Sequence, residues 1–133
     1  MIKTLITPQE VIEIAYAGEV YTPDSAVTDA DILAAQQRFI TPVVGEDLML
    51  ALANDNYSLL LSSYVVPALA EYVRVLCDTP TAPASHRVKM RAKALLRELS
   101  DHLEEYQESY SEYESSENVL NRCNCDGGFV QIL

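Results

Sequence analysis

The 133-residue chain has no tryptophan, only four glycines and three cysteines, and 9 Lys and Arg against 20 Asp and Glu. Each scarcity excludes something. Few glycines and few β-branched runs leave little of the turn-and-strand punctuation of a sheet, and favour helix. The shortage of cations, with a net charge of −11, argues against a nonspecific grip on nucleic acid, where Lys and Arg must displace phosphate counterions. It also argues against anionic membranes, and it makes copies of the chain repel one another. An odd number of cysteines behind a start, MIKTLITPQE, with no leader pattern reads as reduced thiols in an intracellular protein. No apolar run is unbroken: residues 59–76 are interrupted by Ser62, Ser63, Pro67, Glu71 and Arg74, a buried-helix pattern rather than a membrane span. What is present, 49% hydrophobic residues, suits one globular domain.

Charge is segregated along the chain. Residues 1–56 carry −7, residues 57–100 carry +3 and residues 101–133 carry −7. A positive middle between two negative ends permits head-to-tail packing of copies.

Helix signals recur at intervals. Thr7-Pro8-Gln9-Glu10 combines a capping residue, a proline at the first helical position and a capping-box glutamate, so a short helix should run to about Ala17, with Gly18 as its stop. Thr28 begins a second helix with Asp29 and Asp31 in its first turn. Its inner stripe is Ile32, Ala35, Phe39 and Ile40, and Thr41-Pro42 is expected both to end it and to be able to begin another. Gly45 marks a corner, after which Leu48, Met49 and Leu52 face the core, and Asn54-Asp55-Asn56 is a turn. Residues 57–77 are apolar almost all round, as in a central helix, with a kink or break expected at Pro67. Residues 78–84 read as a linker.

Ser85 should open the longest helix, reaching about Ser115. Ala92, Leu96, Leu99, Leu103, Tyr106, Tyr110 and Tyr113 alternate steps of four and three, a heptad-type seam. At full length this helix would span ~45 Å, so its Tyr end should project or meet a neighbour. The expected fold is all-α: a helical bundle over 1–116 with one long C-terminal helix, then an extended tail over 117–133.

Candidate sites are few. Cys123-x-Cys125 lacks the paired ligand motifs of zinc and reads as ordinary thiols. His86 and His102 have no nucleophile beside them. Glu104, Glu105, Glu108, Glu112 and Glu114 lack the loop of a calcium site and read as a solvated face. No catalytic residue, metal or cofactor is therefore assigned, and the chain is not read as an enzyme. Arg87, Lys89, Arg91, Lys93 and Arg97 form a basic cluster, with Lys89, Lys93 and Arg97 on one face, that suits docking on an acidic surface, either another copy or nucleic acid, or else pairs with Glu98 and Asp101. Tyr106, Tyr110 and Tyr113 are either core or, with those cations, a subunit interface. Phe129, Val130, Gln131, Ile132 and Leu133 follow the Gly127-Gly128 joint and suit strand addition to a partner's sheet edge.

Three blocks carry a family resemblance: Leu5-Ile-Thr-Pro-Gln-Glu-Val11, the stretch from Asp31 to Leu48, and Tyr64-Val-Val-Pro-Ala-Leu-Ala-Glu-Tyr72. Together they resemble head–tail connector (adaptor) proteins of tailed bacteriophages and prophages, of the Bacteroidetes type. The resemblance covers about residues 4–76. The long Tyr/Glu helix and the Cys-x-Cys tail depart from the shorter members. It implies an all-helical subunit in a ring, often twelve-fold, in the neck of the virion after assembly in the host cytoplasm. Portal and tail or neck proteins would be its partners, with the C-terminal tail reaching the portal. DNA would pass through without specific binding, and an acidic lining would help it slide. The competing reading is a small cytosolic adaptor that binds one protein partner through the basic patch and the Tyr stripe.

Overall fold

The computed structural model describes residues 4–16, 27–77 and 86–120. Among them are five helices and no strand: α1 (Pro8–Ala15), α2 (residues 29–44), α3 (Glu46–Ala53), α4 (Ser58–Leu76) and α5 (His86–Glu105). The Gly18 stop, the 78–84 linker, Cys123-x-Cys125, the Gly127-Gly128 joint and Phe129–Leu133 lie outside the described residues.

The first two helices start as their sequences dictate. The Thr7 hydroxyl accepts the Glu10 N–H at 3.2 Å, and the Glu10 carboxylate accepts the Thr7 N–H at 3.1 Å. Thr28 and Asp31 repeat the arrangement at 3.3 and 3.0 Å. Each reciprocal pair satisfies two donors that a helix start otherwise leaves open. At the other end of α1, Arg74 of α4 donates to the Ala15 carbonyl and lies 4.6 Å from the Tyr16 ring centre. A cation there suits the negative end of the helix dipole.

Both internal prolines are accommodated without a break in the helix. α2 contains a π turn, Gln36–Ile40, just before Pro42, and α4 contains another, Leu61–Val65, just before Pro67. The Thr41 N–H bonds back to the Gln36 carbonyl and the Val66 N–H to the Leu61 carbonyl, five residues rather than four. A proline lacks an N–H and its ring collides with the carbonyl four residues earlier. The wide turn shifts the ladder ahead of that collision, so the helix passes through. Thr41-Pro42 therefore begins a fresh α-helical turn, Thr41–Val44, without interrupting α2. The corner falls at Gly45, whose φ of +86° suits glycine. The Asn54–Asn56 turn follows α3, with Asp55 at φ +66°.

α4 is the central helix, with α1, α2 and α5 all packed on it. Its Val65, Ala68, Leu69 and Val73 are buried against Val11 of α1, Ile32, Ala35 and Ile40 of α2, Leu48 and Leu52 of α3, and Leu96, Leu99 and Leu103 of α5. Gln36, wholly buried inside the first π turn, accepts the Leu5 N–H at 2.6 Å and so ties the N-terminal segment to α2.

The long C-terminal helix is shorter than its seam suggested. α5 stops at Glu105 after 20 residues, ~30 Å. Continuing it would stack Glu104, Glu108 and Glu112 at four-residue spacing and load a helix C-terminus with negative charge, both unfavourable. Instead the Gln107 side chain donates to the Glu104 carbonyl at 3.1 Å. The chain folds back through short 3₁₀ turns at Gln107–Ser109 and Ser115–Glu117, so the Tyr end does not project as a helix. Tyr113, Asn118 and Leu120 are buried, so packing continues beyond residue 116.

Candidate docking groove

A groove of about 410 Å³ opens where the end of α4 meets the start of α5 and the π turn of α2. Its lining includes Phe39, Tyr72, Val75 and Leu76. Phe39 and Tyr72 are stacked with ring centres 4.2 Å apart. The other wall is α5, where His86, Lys89, Met90 and Lys93 recur at the three- and four-residue spacing of one helix flank. Arg38 completes the rim, its guanidinium 5.2 Å from the Phe39 ring centre. An apolar lining beside three cations on a chain of net charge −11 resembles a binding surface.

The groove contains a polar atom with no evident satisfaction. The Tyr72 hydroxyl is buried and has no hydrogen-bond partner among the described residues. Burial alone pushes its pKa up to about 12. Close by on α4, Glu71 is buried and faces Arg91 at 3.6 Å. Its carboxyl titrates above the ordinary range because desolvation outweighs the pull of Arg91 and Arg74.

The foot of α5 is built differently. Tyr113 donates to Glu104, and its hydroxyl accepts from Asn118 at 2.9 Å. Asn118 also donates to Ser100 at 2.9 Å and accepts the Leu120 N–H at 2.9 Å, while Ser115 donates to Glu104 at 3.0 Å. Burial first, then the bond to Glu104, pushes the Tyr113 phenol up to about 12. Alongside, His102 stacks on Tyr64 with ring centres 4.1 Å apart, and its Nε2 lies 2.8 Å from the Tyr110 hydroxyl. Tyr57, held at φ +56°, packs edge-on against Tyr110 and donates to Glu112 at 2.7 Å. That bond is the main reason the Glu112 carboxyl titrates below its usual range.

The structure thus divides the residues singled out in the sequence. Lys89 and Lys93 line the groove together, while Arg87 and Arg97 are exposed on α5 without lining it. Tyr113 belongs to the subunit's own core, Tyr110 is half-buried against His102, and Tyr106 is 47% exposed. Arg38, Phe39, Tyr72 and Met90 escaped sequence reasoning as site residues. The signal available for the first two was a cation beside an aromatic within an apolar stripe.

A second hollow, formed by Thr41, Gly45, Glu46, Asp47, Ser116 and Glu117, is acidic. Among the described residues no group of three or more His, Cys, Asp or Glu is placed to hold a metal ion.

Compared with known proteins, the chain matches no family model, no curated protein and no solved structure.

Proposed function

We propose that this chain is a structural, non-catalytic subunit of a phage-type head–tail connector. In this reading it forms a ring between portal and tail in the virion neck, assembled in the host cytoplasm, and lets DNA slide through. The observation that carries the reading is the groove, where three cations line an apolar surface on an otherwise strongly acidic, all-helical subunit. Such a subunit repels its copies at a distance and can accept one only where that basic surface meets an acidic one. A contact between two different surfaces of the same chain is heterologous, and it closes into a ring when its rotation allows. Acidity elsewhere keeps DNA from being gripped, because a phosphate backbone is held by cations. The three blocks that resemble connector proteins build α1, α2 and the middle of α4, the elements on which the core rests. Residues Phe129–Leu133 are proposed to dock on the portal by strand addition.

The cytosolic-adaptor reading uses the same groove, but it also calls on a Tyr stripe whose last member is buried in the core. Native mass spectrometry of the full chain, alone and with portal protein, separates the two. A closed ring, free or on the portal, whose binding to the portal is lost when Phe129→Asp and Ile132→Asp are introduced supports the connector and its tail contact. A persistent monomer or dimer that ignores the portal contradicts it and leaves the adaptor.

A further inference from the structure

We infer that the groove receives the opposite end of α5 from a second copy: Tyr106 flanked by Glu105 and Glu108. The inference rests on the reading of the chain as a self-assembling subunit and names the contact.

Charge argues for it first. The groove presents Arg38, Lys89 and Lys93, and the foot of α5 presents Glu105 and Glu108, both exposed. Between subunits of net charge −11, such a local match offsets general repulsion at short range and weakens with added salt.

Apolar complementarity argues for it second. Among the described residues, the large apolar side chains left exposed are Met90, which belongs to the groove itself, Leu59, which has exposed serines at 58, 62 and 63, and Leu50 and Tyr106, which have acidic neighbours. Tyr106 is the aromatic one, and the groove contains the Phe39–Tyr72 stack. Aromatic rings are preferred anchors of protein interfaces. Tyr106 also leans on His102, ring centres 4.9 Å apart, which fixes its direction and lowers the ordering cost of binding.

Geometry argues for it third. Groove and acidic corner sit toward opposite ends of one 20-residue helix, with Lys93 and Glu105 ~18 Å apart along it. A copy that fills its neighbour's groove leaves its own groove open for the next. This is the propagating contact that a ring needs.

The test uses two full-length variants, each with one surface broken. The groove variant carries Lys89→Glu and Lys93→Glu, and the corner variant carries Tyr106→Ser and Glu108→Ser. All four positions are exposed, and unchanged melting temperatures verify that both variants fold. Sedimentation velocity at low salt, with portal protein added in parallel, is the readout. Each variant alone should lose self-association by more than about tenfold. An equimolar mixture should recover a pair and nothing larger, since it contains one intact groove and one intact corner. Wild-type assembly that survives in both variants overturns the contact and leaves the connector reading standing. Loss of assembly in Leu50→Asp but not in the corner variant also overturns it, giving the groove to α3's acidic corner. Pairing without any ring or portal binding upholds the contact and removes the connector. A wild-type chain that stays single under every condition removes both.

Discussion

The two ends of α5 lie on one helix and end in opposite conditions. At its foot, Leu99 and Leu103 are fully buried, and the chain returns to cover them with Tyr113 and Leu120. The polar atoms brought inside pair with one another through Glu104, Ser100, Ser115 and Asn118. At its head, Ala92 is buried, but the flank beside it carries Lys89, Met90 and Lys93 along an open groove. There the Tyr72 hydroxyl has no partner among the described residues. A buried polar group that is paired costs little, whereas one left alone costs about 1–3 kcal/mol. The foot is closed by paired polar groups, and the head borders an open groove of cations and apolar side chains.

Breaking the foot should therefore cost the most. Leu99→Ala should lower unfolding free energy by about 2–5 kcal/mol, since it removes a fully buried side chain and leaves a cavity. Urea denaturation measures this. Asn118→Ala comes next. It strips partners from Ser100, Tyr113 and the Leu120 N–H together, and a loss of about 1–3 kcal/mol is expected in the same assay.

Glu71, between the two ends, gives a smaller effect with a definite sign. Its folded pKa is raised, so the native state holds its proton more tightly than the unfolded chain does. Stability contributed by this group is then present at acid pH and is lost as pH rises from the ordinary carboxylate pKa through the raised one. Unfolding measured across that window should slope downward, and Glu71→Gln should flatten the slope. Because Arg91 pulls the pKa down, Arg91→Ala should raise it further, as an NMR titration of the side-chain carboxyl would show. A pKa that falls in that variant contradicts the assignment. At the head, Lys93→Glu should change monomer stability least, within about 0.5 kcal/mol, as for an exposed position away from the core. A larger loss in denaturation would mean that Lys93 supports the fold and not a contact.

Helix starts and inner stripes were legible in the sequence, whereas each end of α5 was legible only in part. Thr7 with Glu10, Thr28 with Asp31, and the stripes through Ile32, Phe39 and Leu48 state their roles locally, because capping and helical periodicity depend only on neighbours within one turn. The prolines misled for the same reason. Local rules give Pro42 as a stop and Pro67 as a kink or break, and only the π turns ahead of them show how a helix passes through. The Tyr positions after Glu105 kept the right spacing for a helix and lost to charge repulsion and to the burial won by folding back. The groove was half-visible. Lys89 and Lys93 share a helix face by arithmetic, but Arg38 and Phe39 reach them from 50 residues away through the packing of α2 on α4. No spacing within one segment records that.

Amide hydrogen exchange on the full chain, compared between the single chain and the proposed assembly, asks whether the head of α5 serves contact while its foot serves stability. New protection is expected on assembly around residues 38–39, 86–93 and 105–108, with residues 99–103 and 113–120 already protected and unchanged. Protection that appears at 99–103 or 113–120 while 86–93 stays as open as before would contradict it.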